Sequence, residues 1–158
     1  MVWLIQSCRL FSFLLIAASL TAAPSLASSR PACGSDAADA FIDAQTDAGN
    51  RASESGRHRE AFRIWAELAA YHQRCIEPAV VAYNRGAGNA VVNVSDQVRQ
   101  NGYARAIDAF TSAAREARIL GDSKKRCLFA RSAQDDERIA YPGDKPDAEL
   151  LRLLAGCR

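Results

Sequence analysis

Three side chains of the kinds most used in catalysis lie within 18 residues of one another: His58, His72 and Cys75. His72 and Cys75 are three residues apart, which on a helix puts an imidazole beside a thiol, as in a Cys–His nucleophile. His58 precedes His72 by about 21 Å along a continuous helix, so the two histidines do not share a metal ion. A disulfide at Cys75 would remove the thiol. We therefore interpret both histidines as surface residues on a solvated helix face.

Other segments that suggest chemistry have simpler structural interpretations. The Gly-Ala-Gly run at 86–88 follows a helical segment instead of a strand, so we interpret it as helix packing and not as a phosphate loop. The acidic run at 135–137 has no matching partner and is predicted to be a solvated patch. Neither a Ser–His–Asp triad nor a metal-ligand spacing stands out. The sequence therefore predicts no enzymatic activity, no cofactor and no metal.

The first 27 residues have the pattern of a secretory signal peptide. Arg9 precedes the apolar run 10–20, which is shorter than the ~20 residues that a membrane-spanning helix needs. Small residues at Ser25 and Ala27 predict cleavage after Ala27. An uncleaved N-terminal anchor is the alternative. The leader is of bacterial style, so we expect a periplasmic or secreted protein with no membrane insertion after cleavage.

The remaining residues, 28–158, are enough for one domain with a hydrophobic core. The full chain carries 20 basic and 18 acidic residues without a long block of one sign, which gives little reason to expect nucleic-acid binding. Four cysteines follow the leader, and export predicts two disulfides among them.

The composition and spacing predict an all-α fold of six helices in three antiparallel pairs. Alanine, arginine, glutamate and leucine abound, and no alternating β-branched run reaches strand length. Breaks are expected at Ser55-Gly56, Glu77-Pro78, Asn101-Gly102, Gly121 and the loop Tyr141–Asp147. The predicted helices cover 35–53, 59–74, 79–93, 103–120, 123–139 and a last segment from Pro146.

The antiparallel pairs also predict how the cysteines are joined. The start of the first helix in a pair lies beside the end of the second, which favours the bonds Cys33–Cys75 and Cys127–Cys157. The rival arrangement joins Cys75 to Cys127 and Cys33 to Cys157.

An internal recurrence runs through the first two pairs. GRHREAFRIWAEL, from Gly56, places Ala61, Trp65 and Leu68 at spacings of four and three, and GYARAIDAFTSA, from Gly102, repeats those spacings with Ala106, Phe110 and Ala113. A glycine upstream in the first helix of each pair, Gly49 or Gly88, is predicted to let the partner helix approach closely. The aromatic side chain then fills the gap to the next pair.

These spacings resemble the tetratricopeptide repeat, or the related Sel1-type repeat, over about residues 42–116. The resemblance implies a short solenoid with a C-terminal capping hairpin, whose first helices line a concave groove for extended peptides or partner helices. An unrelated six-helix bundle is the alternative. Two repeats make a short groove, and we leave open that the protein oligomerises to extend it.

The resemblance also implies which residues line that groove. They are Thr46, Asn50 and Ser53 from the first pair and Arg85, Asn89 and Asn93 from the second. Asn50 and Asn89 share one repeat position, where groove-forming relatives use asparagine to hold a peptide, and Arg85 stands where such relatives place a cation for a carboxylate. The alternative is that both asparagines form hydrogen bonds between helices.

The sequence thus predicts an exported, non-catalytic adaptor that binds a protein or peptide partner through a helical-repeat groove. The alternative is a secreted helical-bundle inhibitor or effector acting through the exposed loop 141–146. A small hydrolase that depends on His72 is a third hypothesis.

Overall fold

The computed structural model describes residues 30–87 and 92–158, with backbone alone for 82–87 and 92–95, so the predicted leader lies outside the described residues. The described part is all-α, as predicted, and none of its helices is long and apolar enough to cross a membrane. Its five helices are α1 (Asp36–Glu54), α2 (His58–Ala87), α3 (Val92–Ile119), α4 (Ser123–Ala140) and α5 (Ala148–Leu154).

A long antiparallel hairpin of α2 and α3 forms the centre of the molecule. His58 at the start of α2 meets Glu116 at the end of α3, while Ile76 further along α2 meets Gly102. Helix α1 packs against α2, α4 packs against α3, and the short α5 closes against α4 and α3. The chain therefore forms a sequential array in which each helix packs chiefly on its neighbours in sequence.

The core is built from small residues with a few large side chains between them. All six recurring positions noted in the sequence belong to one buried cluster: Ala61, Trp65, Leu68, Ala106, Phe110 and Ala113. Alanines let the helices approach closely, and the large side chains fill the space that remains. This confirms that the recurring residues are packing positions.

Gly49 is a point of very close approach between α1 and α2. A Cβ atom at this position would lie 2.7 Å from Cε2 of Trp65, closer than nonbonded carbon atoms approach. The glycine therefore permits close packing, as predicted, although the group that approaches is the indole ring and not the helix backbone.

The predicted break at Glu77-Pro78 is wrong, because α2 continues through Pro78. A proline inside a helix removes one hydrogen bond and costs about 3 kcal/mol or more. Ile76 and Val80 are each only 3% exposed, so the apolar face of α2 runs across the proline. Their burial against the rest of the fold offsets the local cost, and α2 joins the helix predicted at 59–74 to residues 79–87 of the next predicted helix.

The predicted break at Asn101-Gly102 is also wrong, because α3 runs from Val92 to Ile119. A Cβ atom at Gly102 would lie 3.0 Å from Cγ1 of Ile76, so this glycine marks a helix contact and not a turn. The described residues hold five helices instead of the predicted six, and the three-pair arrangement is not confirmed.

Two disulfides join the cysteines as the hairpin pairing predicts. Cys33 bonds to Cys75 with an S–S distance of 2.04 Å, and Cys127 bonds to Cys157 at 2.05 Å. Closing loops of this length is worth about 3–4 kcal/mol each in the chain-entropy model. Two such bonds are consistent with an oxidising, extracytoplasmic compartment.

Candidate functional site

A groove of about 590 Å³ lies between α1 and α3, with α2 as its floor. Trp65, Leu68 and Ala109 supply buried apolar surface at its base. A smaller cavity of about 230 Å³ adjoins it and extends toward the Cys33–Cys75 disulfide. The two share four lining residues, Asp39, Ile42, His72 and Arg105, so they form one continuous depression, called the α1–α3 groove below.

Two rows of polar side chains form the walls of the α1–α3 groove. Helical periodicity explains both, since residues three and four apart lie on one face of a helix. On α1 the row is Asp39, Asp43, Thr46 and Asn50, and on α3 it is Arg105, Asp108 and Ser112. The groove thus combines an apolar floor with polar walls, the usual chemistry of a ligand site.

The charged groups of this groove are mainly acidic. Three carboxylates, Asp39, Asp43 and Asp108, line it together with the guanidinium of Arg105. None of these four takes part in any of the ion pairs found in the described part of the chain. Partial burial raises the pKa of Asp108 above its ordinary value. The groove is therefore electronegative in a protein whose formal net charge is +2.

His72 lies at the floor of the groove with only 7% of its surface exposed, which corrects the prediction of a solvated residue. The reason is periodicity, since Leu68, His72 and Ile76 recur at four-residue intervals on the buried face of α2. Burial, helped by the nearby Arg105, lowers the pKa of His72 to about 4. The imidazole is thus neutral at pH 7, where one ring nitrogen donates and the other accepts.

His72 also lacks the hydrogen bonds that its neighbours in sequence have. The Tyr71 hydroxyl donates to the Pro31 carbonyl at 3.4 Å, and Gln73 Nε2 donates to Asp136 Oδ1 at 3.5 Å. Within residues 30–87 and 92–158, His72 has no hydrogen-bond partner. A buried polar group with free hydrogen-bonding capacity therefore faces an open groove.

Thr46 and Asn50, two of the side chains predicted to bind a peptide, lie on the wall of this groove. The predicted residues Arg85, Asn89 and Asn93 have side chains outside the described residues. The register that sets them beside Thr46 and Asn50 assumes a helix break at Pro78, which α2 does not have.

Ser53, the sixth predicted residue, takes part in a different polar cluster. Its hydroxyl donates to Oε1 of Glu116 at 2.5 Å, and Nδ1 of His58 lies 2.8 Å from Oε2 of the same carboxylate. Glu116 is 2% exposed, and each of its two side-chain oxygens has a hydrogen-bond partner in this cluster. We call these three residues the Glu116 cluster. It joins α1, α2 and α3, and it corrects the prediction that His58 is a solvated surface residue.

The Glu116 cluster shares a carboxylate–histidine pair with catalytic triads, but its serine is placed differently. In a triad the hydroxyl bonds to the second ring nitrogen of the histidine. Here Ser53 bonds to the carboxylate, and His58 is held through Nδ1. This geometry joins three helices and places the hydroxyl against the carboxylate and not against the imidazole.

Other sequence interpretations can also be compared with the structure. Cys75 is disulfide-bonded, so the Cys–His nucleophile with His72 is not formed. No group of three or more His, Cys, Asp or Glu side chains in the described ranges is placed to hold a metal ion. Asp136, predicted to be solvated, is only 3% exposed, and burial raises its pKa to about 6 while the hydrogen bond from Gln73 opposes the rise.

Comparison of the chain with protein-family models, with curated proteins and with solved structures finds no match. The described helices themselves give no evidence of tetratricopeptide or Sel1-type repeats. A function for this chain must therefore be inferred from the geometry of the α1–α3 groove.

Proposed function

We propose that this protein is an exported, non-catalytic adaptor that binds a peptide segment of a partner protein in the α1–α3 groove. The observation that carries this proposal is a depression of about 590 Å³ with an apolar floor and polar walls on two facing helices. Burial on the Trp65 and Leu68 floor would supply affinity, and the polar walls would orient the segment.

The groove is the right size for a short extended peptide. From Asp39 to Asn50, α1 rises by about 16 Å. An extended chain advances about 3.3 Å per residue, so about five residues fit along this wall. The carboxamide of Asn50 can donate to and accept from the peptide backbone, which gives recognition independent of the side chains.

A groove-filling substitution tests this proposal. Peptides selected from a random display library with the wild-type protein would be measured by fluorescence anisotropy against Thr46→Trp, which places an indole in the groove. Ala44→Trp is the matched control, because Ala44 is exposed on α1 and does not line the groove. Wild type and control should bind equally, and Thr46→Trp should not bind, with all three folded by circular dichroism.

The same experiment separates the alternative function, a secreted inhibitor or effector that uses the loop 141–146. This loop favours the alternative because residues 142–146 are all exposed and the Cys127–Cys157 disulfide braces the helices that flank it. Binding that survives Thr46→Trp and is lost on Tyr141→Ala with Lys145→Ala would contradict the groove proposal and support the loop.

A further inference from the structure

We infer that the α1–α3 groove selects a cationic partner segment, with lysine or arginine at alternate positions of an extended chain. This rests on the proposed function, since it names the class of peptide that the groove accepts. It also reverses the charge preference implied by the repeat resemblance, in which Arg85 and Asn50 hold a carboxylate. A carboxylate beside Asn50 would face the acidic walls described above.

The spacing of the carboxylates matches such a segment. Asp39 and Asp43 stand one helical turn apart, which is a rise of about 6 Å along α1. Alternate residues of an extended chain point to the same side and are about 6.6 Å apart. Asp108 lies on the opposite wall, on α3, so a cationic side chain turned the other way also meets a carboxylate.

Most carboxylates elsewhere in the described structure have cations, although some exposed ones, such as Glu54 and Asp144, do not. Glu149 holds Arg115 through two hydrogen bonds of 2.8 and 3.0 Å, and Glu67 pairs with both Arg30 and Arg63. Asp39, Asp43 and Asp108 have no such pairing in the parts of the chain described. Their charge is thus available to a partner, where complementary charge contributes specificity and a faster encounter.

His72 supplies a second and independent indication of a ligand. The residue is only 7% exposed, and it lines both parts of the groove without a hydrogen-bond partner in the described structure. A bound segment that offers a backbone N–H or an ammonium group can donate to the accepting ring nitrogen of His72, for which the described residues supply no donor. The charged groups that share the lining with His72 are three carboxylates and one guanidinium: Asp39, Asp43, Asp108 and Arg105.

The test compares three fluorescein-labelled peptides of one length: Lys-Gly-Lys-Gly-Lys, Gln-Gly-Gln-Gly-Gln and Glu-Gly-Glu-Gly-Glu. Each is titrated by anisotropy with wild type and with Asp39→Asn/Asp43→Asn/Asp108→Asn. The matched control is Glu54→Gln/Asp135→Asn/Asp144→Asn, which removes the same number of charges from exposed positions that do not line the groove.

We expect wild type and the control to bind the lysine peptide with similar affinity, the groove variant to bind it at least about tenfold more weakly, and added salt to weaken binding. Equal losses in the groove variant and the control would overturn the inference, because they would indicate nonspecific attraction. If the glutamine or glutamate peptide binds as tightly as the lysine peptide, and this binding is lost in the Thr46→Trp variant, the charge preference is overturned while the groove remains a peptide site. Absence of binding by every peptide, including those selected from the library, would overturn both.

Discussion

Two polar regions on the same three helices are organised in opposite ways. In the Glu116 cluster, the two oxygens of the buried carboxylate form hydrogen bonds with Ser53 at 2.5 Å and His58 at 2.8 Å. In the α1–α3 groove, the buried His72 has no partner in the described structure, and the carboxylates around it have no cations. Polar groups that find partners within the chain hold the helices together. Of those that do not, the ones that line the groove are available to a ligand.

The largest effect expected from this comparison concerns Glu116. Glu116→Ala should lower the free energy of unfolding by about 3 kcal/mol, because it leaves Ser53 and His58 without their acceptor and opens a cavity among three helices. Glu149→Ala is the control, since its pair with Arg115 is about 40% exposed on each side and should contribute ~1 kcal/mol or less. Urea denaturation measures both. Equal losses would contradict a structural role that is specific to the Glu116 cluster.

His72 should make the free protein sensitive to acid. Its pKa falls from 6.5 to about 4 on folding, so the unfolded chain binds a proton that the folded protein excludes. The stability that neutral His72 contributes is therefore fully present above pH 6.5 and is lost as the pH falls toward 4. The loss from this group is about 2 kcal/mol between pH 7.5 and pH 5. His72→Leu, which extends the apolar floor begun by Leu68, should remove this loss. Wild-type and variant unfolding curves with the same pH dependence would contradict the assignment.

Asp136 sharpens the comparison, because it is buried and incompletely bonded but lines no groove. Oδ2 has no hydrogen-bond partner among the described residues, and burial raises the pKa of this carboxyl from 3.8 to about 6. A raised acid pKa means that the folded state binds the proton more tightly, so this group lowers stability as the pH rises from about 4 through 6. Asp136→Asn should stabilise the protein by about 1–2 kcal/mol at pH 7.5 and by much less at pH 4. A larger gain in stability at pH 4 than at pH 7.5 would contradict the raised pKa of Asp136.

Local sequence features predicted part of this structure well. The helical composition gave the all-α class, and the antiparallel pairing gave both disulfides, Cys33–Cys75 and Cys127–Cys157. Thr46 and Asn50, which the repeat resemblance implied for a groove, lie on one wall of the α1–α3 groove. These features depend on residues close in sequence or on the ends of one hairpin, where periodicity and chain reach decide the outcome.

The features that were missed depend on contacts distant in sequence. Pro78 does not break α2 because Ile76 and Val80 are buried on either side of it, and part of that burial is the contact with Gly102 of α3. The Glu116 cluster joins Glu116 to His58 and Ser53, which precede it by 58 and 63 positions in the sequence. No local sequence pattern links residues so far apart. His72 is different, since its four-residue spacing with Leu68 already indicated the buried face of α2.

The most direct test of the groove as a cation-selective peptide site is an NMR titration. Isotope-labelled wild-type protein is titrated with the Lys-Gly-Lys-Gly-Lys peptide, and binding is monitored through the chemical shifts of the amide and indole N–H groups. We predict that the shifts concentrate on the α1–α3 groove, at Asp43, Asn50, His72 and Asp108 and at the Trp65 indole N–H, while the amide of Glu116 stays unchanged. Shifts that concentrate on residues 141–146, or that spread evenly over the acidic surface, would contradict this role of the groove.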